Sequence, residues 1–255
     1  AEVCNTFTLS SNLSGASKFA LFGGLFLLGV FMLIISNKAS CEFKNFLTNQ
    51  NIDFIETIDN PNLDKRIADH PDLSLFVLDR DNIIVAEEVY SYYKERLPHK
   101  KLIKGSSVFK KYPKDCIYNL FTFKDFYIHN DFTEENIERI LKEKDYKHLF
   151  VKQGYSRCSV ILLRESLLTS DYGIYKTLKD KVDIILLEND KIELDGFDQG
   201  FVGGTCGIVE DKLVFTGDIL RHKSYERIKK ACDRENMEII YPEIPLVDLG
   251  SLICI

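Results

Sequence analysis

The residues able to do chemistry are spread along this 255-residue chain rather than gathered in one motif. Its seven cysteines are Cys4, Cys41, Cys116, Cys158, Cys206, Cys232 and Cys254. The number is odd, the spacing is wide and no CxxC occurs, which argues against a disulfide framework and a zinc ribbon. Reduced thiols, mostly buried as small hydrophobes, are the expected state. The five histidines, His70, His99, His129, His148 and His222, form no metal-ligand cluster with them. The glycines of the segment GFVGGTCG at 200–207 lack the GxGxxG spacing of a dinucleotide site. They suit close approach of a strand backbone to a neighbour or a ligand. His129-Asn130-Asp131, Asp171 and Asp218 precede helical segments and read as N-cap regions. No cofactor and no metal are expected.

Composition sets wider bounds. The chain is 45% hydrophobic and 28% charged, which excludes disorder and a polytopic membrane protein. Lys+Arg of 33 against Asp+Glu of 39 gives a net charge of -6, so nucleic acid is not an expected partner. A cytoplasmic location follows from the reduced thiols and the globular composition.

The elements that would position these residues repeat along the chain, and the repeat is the most informative feature. Short apolar strands at 73–79, 117–123, 157–163 and 205–211 each lead through a tight turn into a second strand. The second strand is followed by a helical segment and a third strand. Residues 212–244 show this order: KLVFTGD, then SYERIKKACDREN with Tyr225, Ile228 and Cys232 on one face, then EIIYPEI. The unit is strand, strand, helix, strand, spaced by about 40–48 residues, the size of one supersecondary repeat. Four units are complete. A fifth forms only if SLICI at 251–255 pairs with MLIISNK at 32–38, followed by the helix ASCEFKNFLTNQN and the strand DFIETID. Pairing the two termini closes the ring and removes the open edge.

The uncharged run FALFGGLFLLGVFMLIIS at 19–36 sits at the lower limit for a membrane span. Its end also suits a buried strand, and ring closure favours the strand. Residues 1–29 are then an apolar and polar N-terminal appendage, an anchor or a non-native segment. Residues 30–255 form the domain. Membrane association is expected only if that appendage is an anchor.

Five ββαβ units around a pseudo-fivefold axis resemble the pentein α/β propeller of the guanidine-modifying enzymes, which include dimethylarginine dimethylaminohydrolases, arginine and agmatine deiminases and amidinotransferases. The segment HPDLSLFVLD at 70–79 resembles the first substrate-carboxylate motif, with Asp72 and Asp79 matching and Leu78 standing where the pattern has Glu. The segment DLGSLIC at 248–254 resembles the Gly-rich strand carrying the nucleophilic cysteine. Together HPD, KQGYSRCS at 152–159, GFVGGTCG and DLGSL look like an uncharacterised domain of this fold, over about residues 31–255.

The resemblance implies a small guanidino compound as partner, Cys254 as nucleophile, and Asp72 and Asp79 as holders of the flat cation. It also implies a histidine to protonate the leaving amine. The segment that matches the family's His strand, Phe201 to Cys206, has none. His70 and His129 are weaker candidates for that role, and Cys206 is a weaker candidate for a thiol facing the axis. Two functions stay open: a cysteine-dependent hydrolase or transferase acting on a guanidino or amidino compound, and a non-catalytic binding or assembly module.

Overall fold

The computed structural model describes residues 31–255. The appendage expected at 1–29 lies outside the described residues.

Five three-stranded sheets follow one another, and each is built alike. The first joins both ends of the described chain: β1 (Met32–Ile35), α1 (Cys41–Asn49) and β2 (Asp53–Glu56) with β15 (Ile253–Cys254). The others are β3 (Leu75–Val77), β4 (Asn82–Val85), α2 (Tyr90–Arg96), β5 (Lys101–Lys104); β6 (Phe121–Phe123), β7 (Phe126–His129), α3 (Glu135–Glu143), β8 (Lys147–Phe150); β9 (Val160–Leu162), β10 (Leu167–Thr169), α4 (Tyr172–Leu178), β11 (Ile184–Leu186); and β12 (Cys206–Val209), β13 (Lys212–Phe215), α5 (Tyr225–Arg234), β14 (Glu238–Ile240).

In every sheet the middle strand pairs antiparallel with the inner strand and parallel with the third. An antiparallel pair needs only a tight turn. A parallel pair needs a crossover, which the helix supplies. The expected closure is present: β1 pairs antiparallel with β15, Leu33 opposite Cys254 and Ile34 opposite Ile253.

Burial explains why the middle strands are the most apolar stretches. From its second residue onward each of β1, β4, β7 and β13 is buried, and β10 is buried throughout. Such strands are covered on both faces and read as continuous Ile, Leu and Val rather than as alternation. Each helix lays one apolar stripe on its sheet. In α3, Ile137 and Leu141 are buried four residues apart. Its outer face carries the i,i+4 pairs Glu138–Lys142 and Arg139–Glu143.

The inner strands are shorter than the sequence suggests. The residues just before β3, β6, β9, β12 and β15 form turns, so Asp72, Asn119, Cys158, Gly204 and Ser251 lie in lead-ins rather than in strands. Hydrogen bonds between these lead-ins run round the axis. Asp72 N–H donates to Gly250 O at 3.4 Å, Cys158 N–H to Asn119 Oδ1 at 3.2 Å, Gly204 N–H to Cys158 O at 2.9 Å, and Ser251 N–H to Gly204 O at 3.0 Å. Asn119 Nδ2 reaches Asp72 O at 3.5 Å and completes the circuit. The architecture is the pentein propeller of five ββαβ units. No helix among the described residues is long and apolar enough to cross a membrane.

Candidate functional site

The lead-ins bring five polar groups together at the centre of the ring. Asp72 is the hub and is 1% exposed. Pro71 and Asp72 open a 3-10 turn that carries the chain into β3. Asp72 Oδ2 accepts from the Ser251 hydroxyl at 2.7 Å and from the Cys158 thiol at 2.9 Å. Asn119 Nδ2 donates to the Cys158 sulfur at 3.1 Å, and its Oδ1 accepts from Arg157 N–H at 2.9 Å. The other Asp72 oxygen, Oδ1, is buried and has no hydrogen-bond partner. Burial raises the Asp72 carboxyl to about 6, against the hydrogen bonds from Cys158 and Ser251 and the charge of Arg157, which favour the anion.

Ser251 holds its position at φ +65°, in the left-handed region that L residues rarely occupy. Two glycines make the crowding possible. A Cβ on Gly204 would meet Asp248 Oδ1 at 1.9 Å, and one on Gly203 would meet Val160 O at 2.3 Å. This is the close backbone approach expected of the GFVGGTCG segment. Asp248 is itself fully enclosed, accepting from Phe201 N–H at 2.8 Å and Gly250 N–H at 3.0 Å.

Asp72 also lines a cavity of about 250 Å³ bounded by the inner strands. Arg157 and Cys254 line it too, and most of the remaining wall is apolar, including Leu75, Val77, Leu162 and Ile208. The structure therefore brings Asp72 and Cys254 to one cavity. The Cys254 thiol is partly buried, and burial is the main cause that raises its pKa above the ordinary thiol value; Lys100 acts the other way, and the charge of Glu210 adds to the rise. At neutral pH it is a thiol, not a thiolate.

Asp79 does not join them. Its Oδ1 accepts from Asn82 Nδ2 at 2.6 Å, Asn82 N–H at 3.0 Å and Asp81 N–H at 3.1 Å, and its Oδ2 pairs with Lys144 at 3.1 Å. The Asn82 bonds, with Lys144, hold its carboxyl down at about 2. It ties the β3–β4 hairpin turn. An Asp that follows a strand serves a turn as readily as a ligand.

Neither weaker histidine lines the cavity. His129 ends β7 and is locked: Nε2–H donates to Gly154 O at 2.9 Å, and Nδ1 faces the Thr133 hydroxyl at 2.9 Å. Burial lowers its pKa to about 4, so the ring is neutral. The N-cap of α3 is Glu134, five residues further on, and not the His129-Asn130-Asp131 stretch. Asp171 and Asp218 do cap helical turns, accepting from Ile174 N–H and Leu220 N–H. His70 is buried, its pKa lowered by burial, with Asp248 and Asp69 opposing. Cys206 is buried, its sulfur toward the Val202 and Gly203 carbonyls. Gln153 does not line the cavity; its Nε2 donates to Asp171 Oδ2 at 3.3 Å.

Sequence reasoning missed Arg157, Asn119 and Ser251. Their signal is positional: each stands in the lead-in to an inner strand, which shows only once the five units are aligned. A larger, open groove of about 710 Å³ lies around Asp190, Asp218 and His222. Its Asp190 and Asp218 are satisfied by backbone N–H groups and by Lys223 and Arg221. The smaller cavity, with an unpaired buried carboxylate oxygen, has the stronger claim. Among the described residues no group of three or more His, Cys, Asp or Glu could hold a metal ion.

The fold is that of the pentein propeller, and solved structures share it. A dimethylarginine dimethylaminohydrolase solved as an adduct with 4-chloro-2-hydroxymethylpyridine superposes at TM-score 0.50 and 11% identity, covering 84% of this chain and 91% of that one. The agmatine deiminase of C. jejuni is similar at TM-score 0.49 and 12% identity, covering 87% and 80%. The inosamine-phosphate amidinotransferase of Streptomyces griseus is similar at 0.48 and 14%, covering 82% and 75%. No curated protein matches the sequence. A family model matches residues 34–253, and the chain belongs to that family, a family of unknown function (DUF6873).

Proposed function

We propose that this chain binds a small organic cation of the guanidinium or amidinium kind in the cavity beside Asp72, and that it does so without chemical turnover. The observation that carries the reading is that Asp72, whose buried Oδ1 has no hydrogen-bond partner, lines that cavity. A buried carboxylate oxygen left without a donor is unfavourable, and a flat cation would supply the missing one. Against turnover stand the state of the thiol and the placing of the histidines. Cys254 is held as a thiol by burial. Among the described residues no histidine lines the cavity, so the leaving amine would lack its proton donor.

A second reading keeps Cys254 as nucleophile, because it shares the cavity with Asp72. One experiment separates the two. The full chain is titrated with guanidine, arginine, agmatine and methylarginines, while ureido product and covalent mass adducts are followed. Saturable binding lost in Asp72→Asn, with no product and no adduct, is the expected result. Turnover that disappears in Cys254→Ser establishes the second reading. Binding unchanged by Asp72→Asn removes both.

A further inference from the structure

We infer that the occupant of this cavity is an organic cation with an uncharged, apolar body, such as an alkyl- or aryl-substituted guanidine or amidine, rather than an amino acid. The inference rests on the reading of Asp72 as the cation holder and adds the nature of the rest of the molecule.

Three observations carry it. First, most of the wall beyond Asp72 is made of side chains that offer no hydrogen bond, Leu75, Val77, Leu162, Ile208, Leu252 and Ile253 among them; of the uncharged polar ones, Tyr118 already donates its hydroxyl to Ser106 O, which leaves Thr122 and the Cys254 thiol. A second ionic group on the ligand would be desolvated against that wall without return, whereas a methylene chain gains from it. Second, Arg157 is the one other charged residue lining the cavity, and its Nη1 donates to Val160 O at 3.2 Å, at the start of the strand it leads into. It is only partly buried, so its charge keeps contact with water and does not require a ligand carboxylate. Third, the volume of about 250 Å³ suits a short chain or one ring, and Asp72 provides a single fixed anchor for it.

Arg157 gives the inference its sharpest test. For a ligand carrying only positive charge, the guanidinium beside Asp72 is repulsive, so Arg157→Gln strengthens binding. For an amino-acid ligand the same residue receives the carboxylate, so Arg157→Gln weakens binding.

The experiment titrates the full chain calorimetrically with guanidine, ethylguanidine, butylguanidine, hexylguanidine, arginine and agmatine. The expected result is a gain of about fourfold per added methylene until the cavity is filled, the value of a buried CH₂. Arginine and agmatine should bind more weakly than butylguanidine, and Arg157→Gln should tighten the alkyl series severalfold. Thr122→Val removes a hydroxyl from the wall without changing shape and should steepen the gain with chain length. Ile208→Thr should flatten it. Arginine binding above hexylguanidine, or Arg157→Gln weakening the series, overturns the inference while leaving Asp72 as cation holder. No saturable binding by any member, or binding indifferent to Asp72→Asn, overturns the underlying reading instead.

Discussion

At the scale of single residues, Asp72 joins function to stability. Its carboxyl titrates near 6 in the folded protein against 3.8 as a free group. The folded state thus binds a proton more readily than the unfolded chain between those two values. Stability is greatest below 3.8 and declines as pH rises to about 6, by roughly 3 kcal/mol for a shift of this size. Ionised Asp72 strains the fold above pH 6, and that same form is the one able to hold a cation. Binding should weaken about tenfold for each pH unit below 6. Asp72→Asn keeps the acceptor for Cys158 and Ser251 but removes the charge. It should abolish cation binding and raise stability at pH 8 by about 1–2 kcal/mol. Urea unfolding at pH 5 and pH 8 checks both signs. Equal destabilisation of the variant at both pH values would mean that the carboxylate is a structural necessity and not a held charge.

At the scale of elements, His129 works in the opposite sense. It ties the end of β7 to Thr133 before α3 and to Gly154 in the next connection. Its pKa is lowered from 6.5 to about 4, so the stability of this tie is complete above 6.5 and is lost as pH falls toward 4. That loss, again about 3 kcal/mol, opposes the gain from protonating Asp72 over nearly the same range. The native protein should therefore show little net pH dependence between 4 and 6.5 from these two groups. His129→Gln should lower stability by about 1–3 kcal/mol at pH 8 and leave a variant that becomes more stable on acidification. Thermal melts of His129→Gln and Asp72→Asn across this range should slope in opposite directions; parallel slopes would rule the compensation out.

These elements also mark how far the sequence is legible. The ββαβ order was readable because middle strands buried on both faces, such as Ile83-Ile84-Val85, and helices with an i,i+4 stripe, such as Ile137 and Leu141, leave periodic signatures. The resemblance of their segments points to Asp72 and Cys254, and the structure brings both to one cavity. Asp79 is ambiguous from its motif, because an Asp at the end of a strand looks the same whether it faces a ligand or ties a hairpin, and here it bonds the turn at Asn82 and Asp81. Arg157 and Ser251 stand inside the KQGYSRCS and DLGSL segments, which give neither a role, and Asn119 lies in no such segment. Their role arises from five lead-ins meeting at an axis, a relation between segments as much as 179 residues apart.

The whole molecule depends on its two ends meeting. β15 has two residues, yet it completes the first sheet and abuts β12, through Leu252 N–H to Cys206 O at 3.0 Å. Ile255 N–H donates to Met32 O at 2.9 Å, and Leu252 is 1% exposed. A ring held by pairwise contacts between neighbouring units loses two interfaces, not one, when a closing strand is removed. Deleting residues 252–255 takes away β15 and its contacts with β1 and β12, and uncovers the buried edge of β1. The milder change Leu252→Ala should lower stability by about 2–5 kcal/mol, as for other fully buried leucines. A chain beginning at Phe31, by contrast, retains every strand of the five sheets. It should unfold in a single cooperative transition with an unchanged midpoint. Circular dichroism and urea unfolding of the three variants decide the matter. A cooperative, native-like transition in the chain lacking 252–255 would show that four units suffice and that closure is incidental. Aggregation of the chain beginning at Phe31 would place part of residues 1–29 in the core.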